Sequence, residues 1–114
     1  MRALLLLPLT LSGCLVAGTI GCDLRVDSAV NGPEDRCQER TGLQGNALFG
    51  GFCEVLGGDE VKGGCPTDGI VAGCDISEGA GVTGGVIDWY YEPTTLEEVE
   101  ADCASDDGVV VDAP

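Results

Sequence analysis

The chain has 114 residues, 20 of them acidic against five basic, no histidine, and a net charge of −15. Such a balance argues against nucleic acid and against anionic membrane surfaces as partners, since both select basic patches; it suits a solvated surface, a cationic partner or divalent cations. With one Trp, two Tyr and two Phe beside seven Cys and 19 Gly, one domain at most is expected, with a thin core that cross-links would have to support.

The chain opens with Met1-Arg2 and an apolar run from 3 to 11 broken only by Pro8 and Thr10. One charge before a short apolar stretch is the pattern of a secretory signal. A bilayer-spanning helix needs about 20 apolar residues, a length reached before Asp23 only by counting Pro8, Thr10, Ser12 and Thr19. The run ends in Leu11-Ser12-Gly13-Cys14, which resembles the lipobox of bacterial lipoproteins. The resemblance covers residues 1–14 alone. It implies cleavage before Cys14, diacylglycerol on the Cys14 thiol, and a membrane anchor on the extracytoplasmic side of the cell envelope. Thr19-Ile20-Gly21-Cys22 is a second, poorer match.

Parity separates the two. The cysteines are Cys14, Cys22, Cys37, Cys53, Cys65, Cys74 and Cys103. Lipid on Cys14 leaves six disulfide candidates, whereas lipid on Cys22 orphans one thiol, which is unusual in an exported chain. The expected layout is a signal peptide over 1–13, a lipidated N-terminus and flexible tether over 14–33, and a small cysteine-rich domain over 34–114.

Pro33 followed by Glu34, Asp35, Arg36 and Arg40 predicts a short helix, with Pro in the first turn and charges that complement the dipole. Ala47, Leu48, Phe52, Val55 and Leu56 recur near helical spacing across Gly50-Gly51, and Gly57-Gly58 stops them. Residues 70–76 alternate with a period of two. Residues 86–91, rich in β-branched and aromatic side chains, form a second strand, joined to the first by a glycine-rich hairpin loop over 77–85. Thr94 and Thr95 each precede a glutamate by three positions, so either one can open a capping box. The helix that follows carries Leu96, Val99 and Cys103 on one face, ends near Ser105, and releases the chain at Gly108 into a strand over 109–111. Cys53-(x)4-Gly58 and Cys103-(x)4-Gly108 echo one another, each a helix-borne cysteine, a glycine stop and a strand. The expected fold class is α+β, a small disulfide-stapled domain with an antiparallel hairpin or sheet and one or two short helices. Six cysteines allow 15 pairings, and spacing does not choose among them.

The chemical motifs are weak. Gly79-Ala80-Gly81-Val82-Thr83-Gly84 fits the dinucleotide pattern G-x-G-x-x-G, yet a strand follows it where a helix is required, so it reads as the hairpin loop. Zinc lacks histidine and paired cysteines, and nucleophilic triads lack their usual base. Asp102, Asp106, Asp107 and Asp112 offer oxygen ligands for calcium without the loop that usually holds it, so no cofactor or metal is expected. Asp88 lies between Ile87 and Trp89, and alternation points it away from both, into solvent. With Ile87, Trp89 and Tyr91 under a helix, Tyr90 faces outward beside Asp88 as a candidate recognition spot.

Cys65-Pro66, Cys74, Trp89-Tyr90-Tyr91 and Cys103 together resemble a common pattern of short exported bacterial proteins, which bears on fold and address and not on activity. The expectation is a non-enzymatic envelope lipoprotein, held to the membrane by its lipid and presenting an acidic surface to a protein or cationic partner. One alternative is a protease inhibitor or toxin-like binder, its loop 66–70 braced by a Cys65–Cys74 bond. Another is a small hydrolase using paired carboxylates.

Overall fold

Two halves of the chain trace the same path. The computed structural model describes residues 18–42, 47–80 and 85–114. Strand β1 (Gly18–Asp23) runs antiparallel to β2 (Arg36–Gly42), helix α1 (Ala47–Leu56) crosses back, and β3 (Asp59–Lys62) adds to the other edge of β1. After a linker over 63–69, β4 (Ile70–Asp75) pairs antiparallel with β5 (Gly85–Tyr91) across the one-turn helix α2 (Ser77–Ala80). Helix α3 (Leu96–Ser105) then crosses back and β6 (Val109–Asp112) adds to the other edge of β4. Pairing of β2 with β5 joins both ββαβ units into one six-stranded antiparallel sheet, β3-β1-β2-β5-β4-β6. This is the disulfide-stapled α+β domain read from the sequence.

The echo around Cys53 and Cys103 is structural. Cys22–Cys53 ties β1 to α1, and Cys74–Cys103 ties β4 to α3. Each helix ends on a left-handed residue, Gly57 (φ 74°) or Asp107 (φ 54°), and the next glycine N–H donates to the cysteine carbonyl, Gly58 to Cys53 and Gly108 to Cys103. Gly58 and Gly108 have a different reason to be glycine. A Cβ at Gly58 would lie 2.7 Å from Cys22 Sγ, and one at Gly108 would collide with Cys74 Sγ. The match also reaches back to Gly21-Cys22-Asp23 and Gly73-Cys74-Asp75, in equivalent places of β1 and β4.

From β2 onward the repeat has an offset of 50, which carries Cys53 to Cys103 and Gly58 to Gly108. The same offset carries 38 to 88, and Gln38 and Asp88 are themselves partners across β2 and β5. A pseudo-twofold axis normal to the sheet therefore passes between these two side chains. The third disulfide, Cys37–Cys65, joins β2 to the linker between the units. Each of the three closes a loop of 28 to 31 residues, worth roughly 3–4 kcal/mol in the chain-entropy account.

The core has two thin layers. On the helix side, Cys22, Leu24 and Cys53 pack with Ile20 and Leu56, and Ala72, Cys74, Tyr90, Val99 and Cys103 pack with Val71 and Ile76. On the other side, Cys37, Cys65, Trp89 and Tyr91 pack with Ile70, Ile87 and Val111. Gly73 makes room there, since a Cβ would lie 2.6 Å from the Trp89 ring. Arg25 stacks on Tyr91 at 3.8 Å from the ring centroid, and the Tyr91 hydroxyl donates to the Pro66 carbonyl. The thr–glu capping box forms at Thr95 and Glu98.

Three expectations are corrected. The tether over 14–33 gives way at Gly18, because β1 is bracketed by β2 and β3, and Leu24 and Ala29 beyond it are buried. The helix from Pro33 is instead an entry into β2, where cross-strand pairing and the Cys37 disulfide outweigh a charge order that suits a helix. Trp89 and Tyr91 lie not under a helix but on the opposite face, beneath the linker and Cys37–Cys65. Cys14 and the signal segment lie outside the described residues, as do positions 81–84 of the glycine-rich loop. No described helix is long and apolar enough to cross a membrane. Three disulfides are the mark of an oxidising, extracytoplasmic setting.

Candidate functional site

Alternation along β5 keeps Asp88 and Tyr90 on one face, as expected, but that face lies under the helices and not in solvent, and the two residues are 3% and 7% exposed. Asp88 Oδ1 accepts from Gln38 Nε2 at 3.0 Å and from Arg36 Nη1 at 3.3 Å. Arg36 also forks onto Glu34, and Arg40 Nε donates to Gln38 Oε1 at 3.0 Å. A polar chain from Glu34 to Arg40 thus crosses the pseudo-twofold axis. Burial raises the Asp88 carboxyl above its ordinary value, and the Arg36 charge and Gln38 hydrogen bond offset this only in part. For Arg36 burial acts downward, yet Asp88 and Glu34 outweigh it and the net shift is upward.

Beside this chain opens a cavity of about 540 Å3. Glu34, Asp35 and Arg36 enter from the start of β2, Tyr90 from β5, and Thr94 from the turn before α3. Helix α3 supplies Glu98, Asp102 and Ser105, and Asp106 caps its C-terminus; the three acids recur at intervals of four and so line one side of the helix. Five carboxylates therefore meet one guanidinium, already shared between Glu34 and Asp88. Tyr90 roots its ring in the core among Ala72, Cys74, Val99 and Cys103. Its hydroxyl bonds to no group among the described residues, the residue lines the cavity, and the phenol lies within electrostatic reach of Asp102 and Asp106. Burial, reinforced by Asp88, Asp102 and Asp106, pushes this phenol up to about 12, so it stays protonated at any physiological pH.

The candidates singled out in the sequence distribute as follows. All six disulfide candidates are paired, as Cys22–Cys53, Cys37–Cys65 and Cys74–Cys103. Cys65 and Cys74 are not bonded to one another, so the inhibitor alternative loses the brace it required. Pro66 instead serves packing, through the Tyr91 hydroxyl. Of the four aspartates considered for calcium, Asp102 and Asp106 line the cavity, Asp107 occupies the left-handed residue after α3, and Asp112 pairs in β6. Among the described residues no three acidic or cysteine side chains converge to hold a metal ion.

A cleft with several acids does exist, which is what the hydrolase alternative needs. Its geometry suits acid–base catalysis poorly. The one buried carboxyl, Asp88, is bonded to Arg36 and Gln38 outside the cavity lining, while the acids on α3 stand exposed. The role of Glu34, Asp35 and Arg36 escaped the sequence reading, since only β2–β5 pairing brings them to α3; the four-residue spacing of Glu98, Asp102 and Asp106 was there to be seen. No known protein family, curated protein or solved structure matches the chain.

Proposed function

We propose that this protein is a non-enzymatic, lipid-anchored binding module of the bacterial cell envelope that presents an acidic cavity to a cationic partner. The observation that carries the binding role is the gathering of five carboxylates around one arginine, itself paired to Glu34 and Asp88. Such a field attracts cations and repels anions over about a Debye length, roughly 8 Å at physiological salt.

Cysteine usage supports the address. Three disulfides consume every cysteine but Cys14. The rival Cys22 is fully buried in β1 and bonded to Cys53, which leaves it no thiol to lipidate. With β1 starting at Gly18, the reach from Cys14 is at most ~14 Å at 3.3–3.6 Å per residue. The domain then stands close to the bilayer, and its own negative charge keeps it from lying flat on anionic lipid.

Intact mass of the protein purified from envelopes in detergent tests the address. A chain starting at Cys14, carrying acyl chains and gaining six hydrogens on reduction, is expected; an unlipidated chain or another start overturns it. For the binding role, fluorescently labelled oligolysine should bind the domain at low salt and oligoglutamate should not. Equal retention of both, or of neither, overturns the role.

A further inference from the structure

We propose that the cavity beside α3 is a polyammonium site: the Tyr90 hydroxyl accepts a hydrogen bond from one ammonium group, while Glu98, Asp102 and Asp106 form a ladder of carboxylates for the others. This rests on the cation-binding role above and adds where the cation sits and which chemistry selects it. Two independent observations meet here. The first is charge: the lining acids outnumber Arg36 by four, so a single positive charge leaves the cavity far from neutral.

The second is Tyr90. The residue is 7% exposed, its ring is fixed in the core, it lines the cavity, and its hydroxyl has no partner among the described residues while lying within electrostatic reach of Asp102 and Asp106. The neighbouring Tyr91, by contrast, spends its hydroxyl on the Pro66 carbonyl. A phenol rooted this firmly is a preorganised acceptor beside a row of anions, and it has nothing else to do.

Spacing selects the class of cation. Residues four apart on a helix are separated by about 6 Å along its axis, close to the distance between two amines joined by three or four methylenes. A chain of ammonium groups at that interval can place one charge opposite each acid. A compact divalent ion requires converging oxygens, which the described residues do not provide. A lone guanidinium meets one carboxylate with its planar fork and leaves the rest of the ladder unpaired. The same chemistry has two sources, a free aliphatic polyamine or lysines at alternate positions of an extended chain, which stand about 6.6–6.8 Å apart.

The test is calorimetric titration at low salt, with the Tyr90 ring followed by NMR, using spermidine and a capped Lys-Gly-Lys peptide on the disulfide-intact domain. Asp102→Asn with Asp106→Asn should weaken binding about tenfold, as loss of two charge-assisted contacts requires. Tyr90→Phe, which keeps the ring in the core, should weaken it by a factor of about three or more. Asp59→Asn with Glu60→Gln removes two acids from β3, in the other unit, and should change affinity less than about twofold. Tighter spermidine assigns the site to free polyamines, and a tighter peptide assigns it to lysyl side chains. Equal losses from the two double variants would reduce the effect to a diffuse field and overturn the site, as would an indifferent Tyr90→Phe. If oligolysine binds the wild type and its Asp102→Asn, Asp106→Asn variant alike, the site falls and the cation-binding role stands. If oligolysine and spermidine both fail to bind the wild type, both fall.

Discussion

Replacing Gly108 by alanine asks whether the strand-to-helix disulfide dictates the residue that follows α3. The backbone at Gly108 is not in the left-handed region, so conformational freedom does not require glycine there. At such positions Gly→Ala ordinarily stabilises by about 0.4–1 kcal/mol, through a stiffer unfolded chain. Here the new methyl would collide with Cys74 Sγ and lie 3.0 Å from both Cys103 Sγ and the Asp75 carbonyl oxygen. None of these atoms is the free end of a side chain, so relief requires backbone movement. Overpacking of this kind costs about 1–3 kcal/mol. A net loss of roughly 1–2 kcal/mol is expected, or about 4–16 °C in Tm for a domain of this size. Urea unfolding with disulfides intact measures it. In a Cys74→Ala, Cys103→Ala background the sulfurs are gone and Gly108→Ala should cost about 0.5 kcal/mol or less, a coupling of about 1 kcal/mol or more between the sites. Gly58→Ala should behave alike but more mildly: Cys22 Sγ is 2.7 Å away, and the nearby Leu24 side chain can turn. A Gly108→Ala protein as stable as wild type, or an equal cost with and without the disulfide, would refute the reasoning.

Asp88 links the sheet centre to pH. Its folded-state carboxyl is raised above its ordinary value of 3.8 by burial, so its contribution to stability is full below that value and is lost as pH rises through the folded value. Asp88→Asn keeps an acceptor for Gln38 and Arg36 and removes the ionisation; relative to wild type it should gain stability between pH 3 and pH 7, read from urea midpoints, and a relative loss over that interval would contradict the assignment. Thr95→Ala removes the acceptor for the Glu98 N–H, 3.2 Å away, and the capping box with it. A loss of about 0.5–2 kcal/mol is expected, with Thr95→Asn near wild type; equal stability of Thr95→Ala and Thr95→Asn would show that the box holds nothing.

The second unit was far more legible than the first. Period-two alternation and the capping box place β4, β5, α3 and β6 within a residue or two, because in each the local pattern and the tertiary role agree. In β2 they disagree. Pro33, leading acids and trailing arginines make a plausible helix, and nothing local reveals that Cys37 will be buried against Trp89 and bonded to Cys65. β1 was hidden differently, as its Thr19-Ile20-Gly21-Cys22 follows an apolar run and resembles a processing motif. The repeat held the missing clue: carried back from Cys53 and Cys103 with a shift of two residues, it matches Gly21-Cys22-Asp23 to Gly73-Cys74-Asp75 of a recognised strand. Alternation put Asp88 and Tyr90 together on one face but chose the wrong face for the helix, because which face is covered depends on what packs over it. That is settled by the non-local contacts of α3 and β2, as is the cavity itself.

The self-matching register of β2 and β5 has a further consequence. Two separate ββαβ chains meeting through this strand would form an interface in which one patch faces its own copy, as in a twofold dimer, and dilution would take them apart. Here a linker of residues 63–69 tethers the units, so that each meets the other at an effective concentration in the millimolar range whatever the abundance of the protein. Cys37–Cys65 then fastens the first unit to that linker. Assembly of the central sheet thus becomes first order, and a sparsely expressed molecule completes it as readily as an abundant one.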